Sequence, residues 1–148
     1  MRSLITIFIS FIFPPACVGC GKDHEYLCNA CLEQLQKHSE PYYSDDTVTA
    51  LFPYKNRVIQ KAIWFLKYRR VTEFANTFGK LLFSHIQKDE NLSHEENIIL
   101  IPIPIIRKSL RKRGFNQSAL ITYTLAKQDP KKFRVYEDVL IRKHGSSK

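Results

Sequence analysis

The spacing of hydrophobic positions changes repeatedly along the chain, and each change predicts an element. Leu4–Phe13 is a lead of ten apolar or small residues, half of the ~20 that span a bilayer. A cysteine-bearing polar stretch follows, and residues 39–46 show no periodicity and read as a linker. Val48–Phe52 reads as a strand. Val58, Ile59, Ala62, Ile63, Phe65 and Leu66 then recur at helical spacing and predict a helix over 57–70. Phe74, Phe78, Leu81, Leu82 and Ile86 predict a second helix over 72–88, followed by a polar loop, 89–97.

Ile98–Ile101 is rich in β-branched residues and too short for a helix, so it predicts a strand buried on both faces. Pro102 and Pro104 remove two backbone donors from one side of the ladder and end the strand there. Beyond them, Gly114 suits the C′ position of a short helical turn. Asn116 suits the N-cap of a helix over 117–127, with Phe115 placed to staple onto Leu120. Phe133–Tyr136 and Val139–Arg142 read as short strands. Strand, loop at its C-terminal end, then helix is how open α/β sheets build an anion site.

Charge sharpens that expectation. The formal net charge of +9 is uneven: −3 over residues 1–46 (three cations, six acids), +3 over 47–97 (eight, five) and +9 over 98–148 (twelve, three). Arg107, Lys108, Arg111, Lys112 and Arg113 place five cations in the seven residues 107–113, beyond the central strand. This favours an anionic partner: phosphate esters, nucleic acid or an acidic protein. A basic surface kept for solubility accounts for the tail lysines but not for this cluster.

All four cysteines fall together, Cys17-x-x-Cys20 and Cys28-x-x-Cys31, with Gly21 after the first pair. Each pair lets two thiolates of one tight turn reach one tetrahedral ion, so the set predicts a structural Cys₄ zinc site with no open coordination position. Two disulfides would need an oxidising compartment, and a redox pair needs only one such turn. The apolar lead and Arg2 are compatible with a signal peptide, but the run enters Pro14-Pro15-Ala16-Cys17 without a small-x-small cleavage site. A buried or amphipathic lead is therefore expected, without a membrane span, and the expected compartment is the cytoplasm. His24 and His38 read as exposed loop residues, and Asp45-Asp46-Thr47 as a turn.

Ile101-Pro-Ile-Pro104, Arg107 and Arg111-Lys-Arg-Gly-Phe-Asn-Gln117, with Phe13-Pro14-Pro15 ahead of the cysteines, resemble the signature of the ComF family. Its members are competence-associated, phosphoribosyltransferase-like proteins with an N-terminal four-cysteine zinc module. Tyr54, Val58, Ile63 and Lys67-Tyr68 echo the family's following helix. The resemblance implies an α/β fold: an N-terminal zinc-knuckle module over 1–38, then over 47–148 the front part of a type I phosphoribosyltransferase-like parallel sheet with flanking helices. It implies that Arg107, Lys108, Arg111, Arg113, Gly114, Asn116 and Gln117 bind phosphate. The family's acidic loop for phosphoribosyl pyrophosphate (PRPP) has no counterpart here, so magnesium and PRPP belong only to a full-length relative. Two readings follow, a truncated product or a chain that has shed the catalytic half; in both it is expected to be inactive as a transferase alone, and a missing C-terminal segment is a candidate partner. Two function classes stay open: an enzyme-family subunit or remnant linked to DNA uptake, and a zinc-containing binding protein for single-stranded DNA or other competence proteins.

Overall fold

The structure is a computed structural model that describes residues 14–37, 41–44 and 47–142. The expectations for the apolar lead 1–13, His38, Asp45, Asp46 and the tail 143–148 lie outside the described residues. The chain divides into two units, Met1–Ile63 and Trp64–Lys148. The architecture is mixed α/β: a cysteine module, then helices and a small parallel sheet.

In the first unit, helix α1 (Asn29–Lys37) grows directly out of the second cysteine pair. Strand β1 (Tyr43–Ser44) pairs antiparallel with β2 (Thr49–Ala50), Tyr43 facing Ala50 and Ser44 facing Thr49. This corrects two expectations. The segment read as a linker supplies a strand, and Val48–Phe52 contributes only two residues to a local hairpin. Ladders this short are below any periodicity that a sequence can display. Helix α2 (Arg57–Trp64) starts where Asn56 Oδ1 accepts from the backbone N–H of Val58 (2.9 Å) and Ile59 (3.2 Å), an N-cap that satisfies two otherwise orphaned donors.

The second unit opens with Trp64 and a π-helical turn, Phe65–Arg69, where a continuous α-helix to residue 70 was expected. Arg70 ends the turn in the left-handed region (φ 57°), its N–H bonded to Phe65 O. Helix α3 (Glu73–Ile86) packs against α6 (Gln117–Ala126). Gly79 permits their close crossing, since a Cβ there would lie 2.7 Å from Thr124 Cβ. The polar 89–97 loop contains a single turn of helix, α4 (Glu90–Ser93), capped by Asp89 Oδ1 on the N–H groups of Asn91 and Leu92.

Strand β3 (Ile98–Leu100) pairs parallel with β4 (Phe133–Val135), in the register Ile98–Phe133, Ile99–Arg134, Leu100–Val135. Parallel strands need a long crossover, here α5 (Arg107–Arg113) and α6. Ile86, Leu125 and Phe133 form the buried centre, with Leu82, Phe83, Ile98, Leu100 and Ala126 packed on it. The strand expected to be buried on both faces is covered on one: Ile99 is 61% exposed. In a described sheet of two strands, alternate residues of β3 have no layer above them. Val139–Arg142 forms no strand, and Val139, Leu140 and Ile141 are exposed.

Candidate functional site

Backbone hydrogen bonds draw the two cysteine turns together. Cys17 N–H donates to Lys22 O (2.8 Å), Gly21 N–H to Cys17 O (2.9 Å) and Val18 N–H to Tyr26 O (3.0 Å), with an antiparallel bridge between Ala16 and Asp23. The first bonds close a knuckle around Cys17–Cys20; the last brings the chain back to deliver Cys28. Leu32 N–H then bonds Cys28 O (2.9 Å) and starts α1. Lys61 Nζ donates to Val18 O at 3.4 Å, tying α2 to the knuckle.

The four Sγ atoms of Cys17, Cys20, Cys28 and Cys31 lie within 4.8 Å of one another. Cys17 and Cys28 are 3.7 Å apart and Cys20 and Cys28 3.6 Å. A Zn–S bond of about 2.3 Å sets tetrahedral edges of about 3.8 Å, so the donor set fits zinc in number, chemistry and size. The same separations far exceed a disulfide bond of ~2.05 Å, and none of the four is joined in a disulfide. Burial pushes the Cys17 thiol up, but the backbone N–H groups of Cys20, Cys28 and Gly19 outweigh it and bring it down to about 6. Cys31 is pushed up to about 12, first by its hydrogen bond with Cys28, then by burial and by Cys17 and Cys20. A divalent cation bound here would replace the thiol protons. With four protein ligands it would hold structure and leave no position for a substrate.

Gly19 is the residue the spacing did not single out. A Cβ there would stand 2.6 Å from Cys31 Sγ, so glycine is required for the second knuckle to close on the first. The sequence did single out Gly21, which takes φ +80° and where a Cβ would meet no atom within 4 Å. His24 is exposed and outside the cluster, as expected.

The phosphate-binding residues expected from sequence fall on α5 and the turn after it. Arg107, Lys108, Arg111 and Lys112 are exposed. Arg113 is half-buried, donates from Nη1 to Gln117 Oε1 (2.9 Å) and lies over the Tyr68 ring at 5.4 Å. Gly114 caps α5 in the left-handed region, its N–H on Leu110 O at 2.7 Å. Asn116 Oδ1 accepts from Ser118 N–H (3.0 Å), the expected N-cap, and its Nδ2 donates to Ile103 O (3.0 Å). Ile103 N–H returns to Ser118 Oγ (3.2 Å). The proline-rich exit from β3 is thereby pinned to the start of α6. The Arg70 guanidinium adds a bond to Lys112 O at 3.3 Å.

Residues 8–42 match the double zinc ribbon domain family. The cysteine module is a zinc ribbon of that kind, although the chain's four cysteines furnish a single Cys₄ set. No curated protein and no solved structure matches the chain. Among the described residues, no helix is long and apolar enough to cross a membrane.

Proposed function

We propose that the chain is a zinc-stabilised protein of the ComF type, related to phosphoribosyltransferases and serving DNA uptake, in which α5 provides an anion site. The observation that carries this reading is the set of exposed cations Arg107, Lys108, Arg111 and Lys112 on one short helix. In this reading these side chains meet phosphate oxygens, where charge-assisted hydrogen bonds are the strong ones. Arg113, Gly114, Asn116 and Gln117 hold the frame through the contacts described above. The zinc ribbon holds its own module together. The reading assigns no transferase chemistry to these 148 residues, because a transferase must hold the ribose end of its donor with paired carboxylates as well as the pyrophosphate end.

Calorimetric titration of the zinc-loaded chain tests the proposal, with pyrophosphate, PRPP with magnesium, and oligonucleotides as separate ligands. Saturable pyrophosphate binding that Arg111→Glu abolishes, with the fold retained, is the expected result. Magnesium-dependent PRPP binding tighter than pyrophosphate binding would show that the ribose end is held too. If charge reversal changes the affinity for none of these ligands, the cations only solvate the helix and the proposal fails.

A further inference from the structure

The four sulfurs of the zinc ribbon are alike as ligands and unlike in their access to solvent. Cys17 and Cys28 are each 4% exposed and Cys31 is half-buried, whereas Cys20 is exposed. Local geometry sets the difference. Every residue from 19 to 25 is exposed, so Cys20 lies in an open turn. Cys17 is drawn under that turn by its N–H bond to Lys22 O (2.8 Å), and its Sγ accepts from Cys28 N–H at 3.4 Å. Gly19 lies so close to Cys31 that a Cβ there would stand 2.6 Å from its Sγ. A small solute therefore meets Cys20 first.

The sulfur beside it belongs to the other knuckle: Cys28 Sγ is 3.6 Å from Cys20 Sγ. Cysteines are oxidised as thiolates, and a metal-bound thiol is deprotonated outright. Once all four are thiolates, access decides which is attacked and proximity decides which responds.

We propose that Cys20 is an oxidation site for hydroperoxides, resolved by Cys28 into a disulfide that empties the zinc ribbon. The Cys20 thiolate attacks a peroxide oxygen, the O–O bond breaks, and Cys20 becomes a sulfenic acid. The departing oxygen leaves as water, or as an alcohol from an organic hydroperoxide. The Cys28 thiolate then attacks the Cys20 sulfur, the S–S bond forms, and the hydroxyl leaves as a second water. Two electrons pass from the sulfurs to the peroxide, and two protons from solvent complete the leaving oxygens. Bond formation closes the 3.6 Å separation to ~2.05 Å. That movement of about 1.5 Å far exceeds the ~0.2 Å a zinc ligand tolerates, so disulfide and metal exclude each other. Cys17 and Cys31 each take up a proton as the metal leaves. The new bond joins one knuckle to the other, which keeps the turns together and lets reduction restore the site. None of this depends on the basic helix.

Hydrogen peroxide added to the full zinc-loaded chain tests the site. Zinc should appear on a chromophoric chelator in step with the loss of a thiol pair, one metal for each Cys20–Cys28 disulfide found by peptide mapping. With dimedone present to trap sulfenic acid, the adduct should map to Cys20. Dithiothreitol and added zinc should restore both thiols and metal content. Cys20→His keeps four ligands of kinds that zinc accepts and removes the oxidisable group from the open position, so its zinc should be released far more slowly. If that variant takes up no zinc, the dimedone map of the parent chain decides. Any other disulfide pairing, adducts spread over all four cysteines, or zinc retained under excess peroxide would overturn the inference.

Discussion

Two glycines of one cysteine knuckle should fail in different ways when given a methyl group. At Gly19 the new Cβ would meet Cys31 Sγ at 2.6 Å, where non-bonded heavy atoms rest at ~3.5–4.0 Å. The overlap is about 1 Å, and a zinc ligand tolerates displacements of only about 0.2 Å. Cys31 must then leave the tetrahedron or the knuckle must open. Disturbing the groups around a bound metal typically costs ~10–100-fold in affinity; with a ligand displaced, Gly19→Ala should lose about 100-fold, close to ~3 kcal/mol. Gly21→Ala meets no atom within 4 Å, but its φ of +80° costs an L-residue ~1–2 kcal/mol. That cost falls on the backbone and leaves the four sulfurs in place. Competition against a chromophoric chelator measures the zinc affinities, and the visible spectrum after cobalt substitution reports the sulfur count. Gly21→Ala should keep the four-thiolate spectrum with a smaller affinity loss, and Gly19→Ala should lose it. Indistinguishable spectra and affinities in the two variants would refute the reasoning.

Lys132 is 7% exposed and its ammonium donates to Leu92 O (2.8 Å) and Ser93 O (2.7 Å), closing the C-terminal end of α4. Lys132→Met keeps the stem and removes both charge-assisted bonds, so thermal unfolding should show a loss of ~1.5–3 kcal/mol; an unchanged melting temperature would mean that water replaces the ammonium at no cost. The Tyr123 hydroxyl is held above the ordinary tyrosine value by its hydrogen bond to Glu137, then by burial and by the charges of Glu137 and Asp138. A raised folded value stabilises below about pH 10, and the contribution is lost as pH rises through that value. Hydrogen exchange around residues 136–138 should accelerate there in the parent, while Tyr123→Phe should lack that step.

The cysteine module was legible because metal ligation fixes residue type and spacing together, and Cys17, Cys20, Cys28 and Cys31 satisfy both. The caps at Gly114 and Asn116 were legible for a related reason, since each answers a local backbone need. Helix α3 followed from its apolar residues, and α6 from its cap and staple. What escaped depends on neighbours distant in sequence or on very short elements. Gly19 matters through Cys31, and the β1–β2 hairpin through a two-residue pairing. The π turn left no mark in the hydrophobic pattern, because Phe65 and Leu66 satisfy a helical face in either geometry. The one-sided burial of β3 was misread because a β-branched run has the same composition whether one face is covered or two. For the basic helix, the sequence named the cations but not the Tyr68 ring over which Arg113 lies.

The pair of prolines after β3 also bears on how the molecule behaves in a crowded solution. Among the described residues, β3 has a strand partner on one edge only, and an open edge is an invitation to self-association. Pro102 and Pro104 follow at once, and neither offers an N–H to an incoming strand. An intruder can lengthen no ladder beyond the three residues of β3, a footing of about 10 Å. The residues that steer the chain from sheet to basic helix therefore also act as gatekeepers against fibre-like stacking.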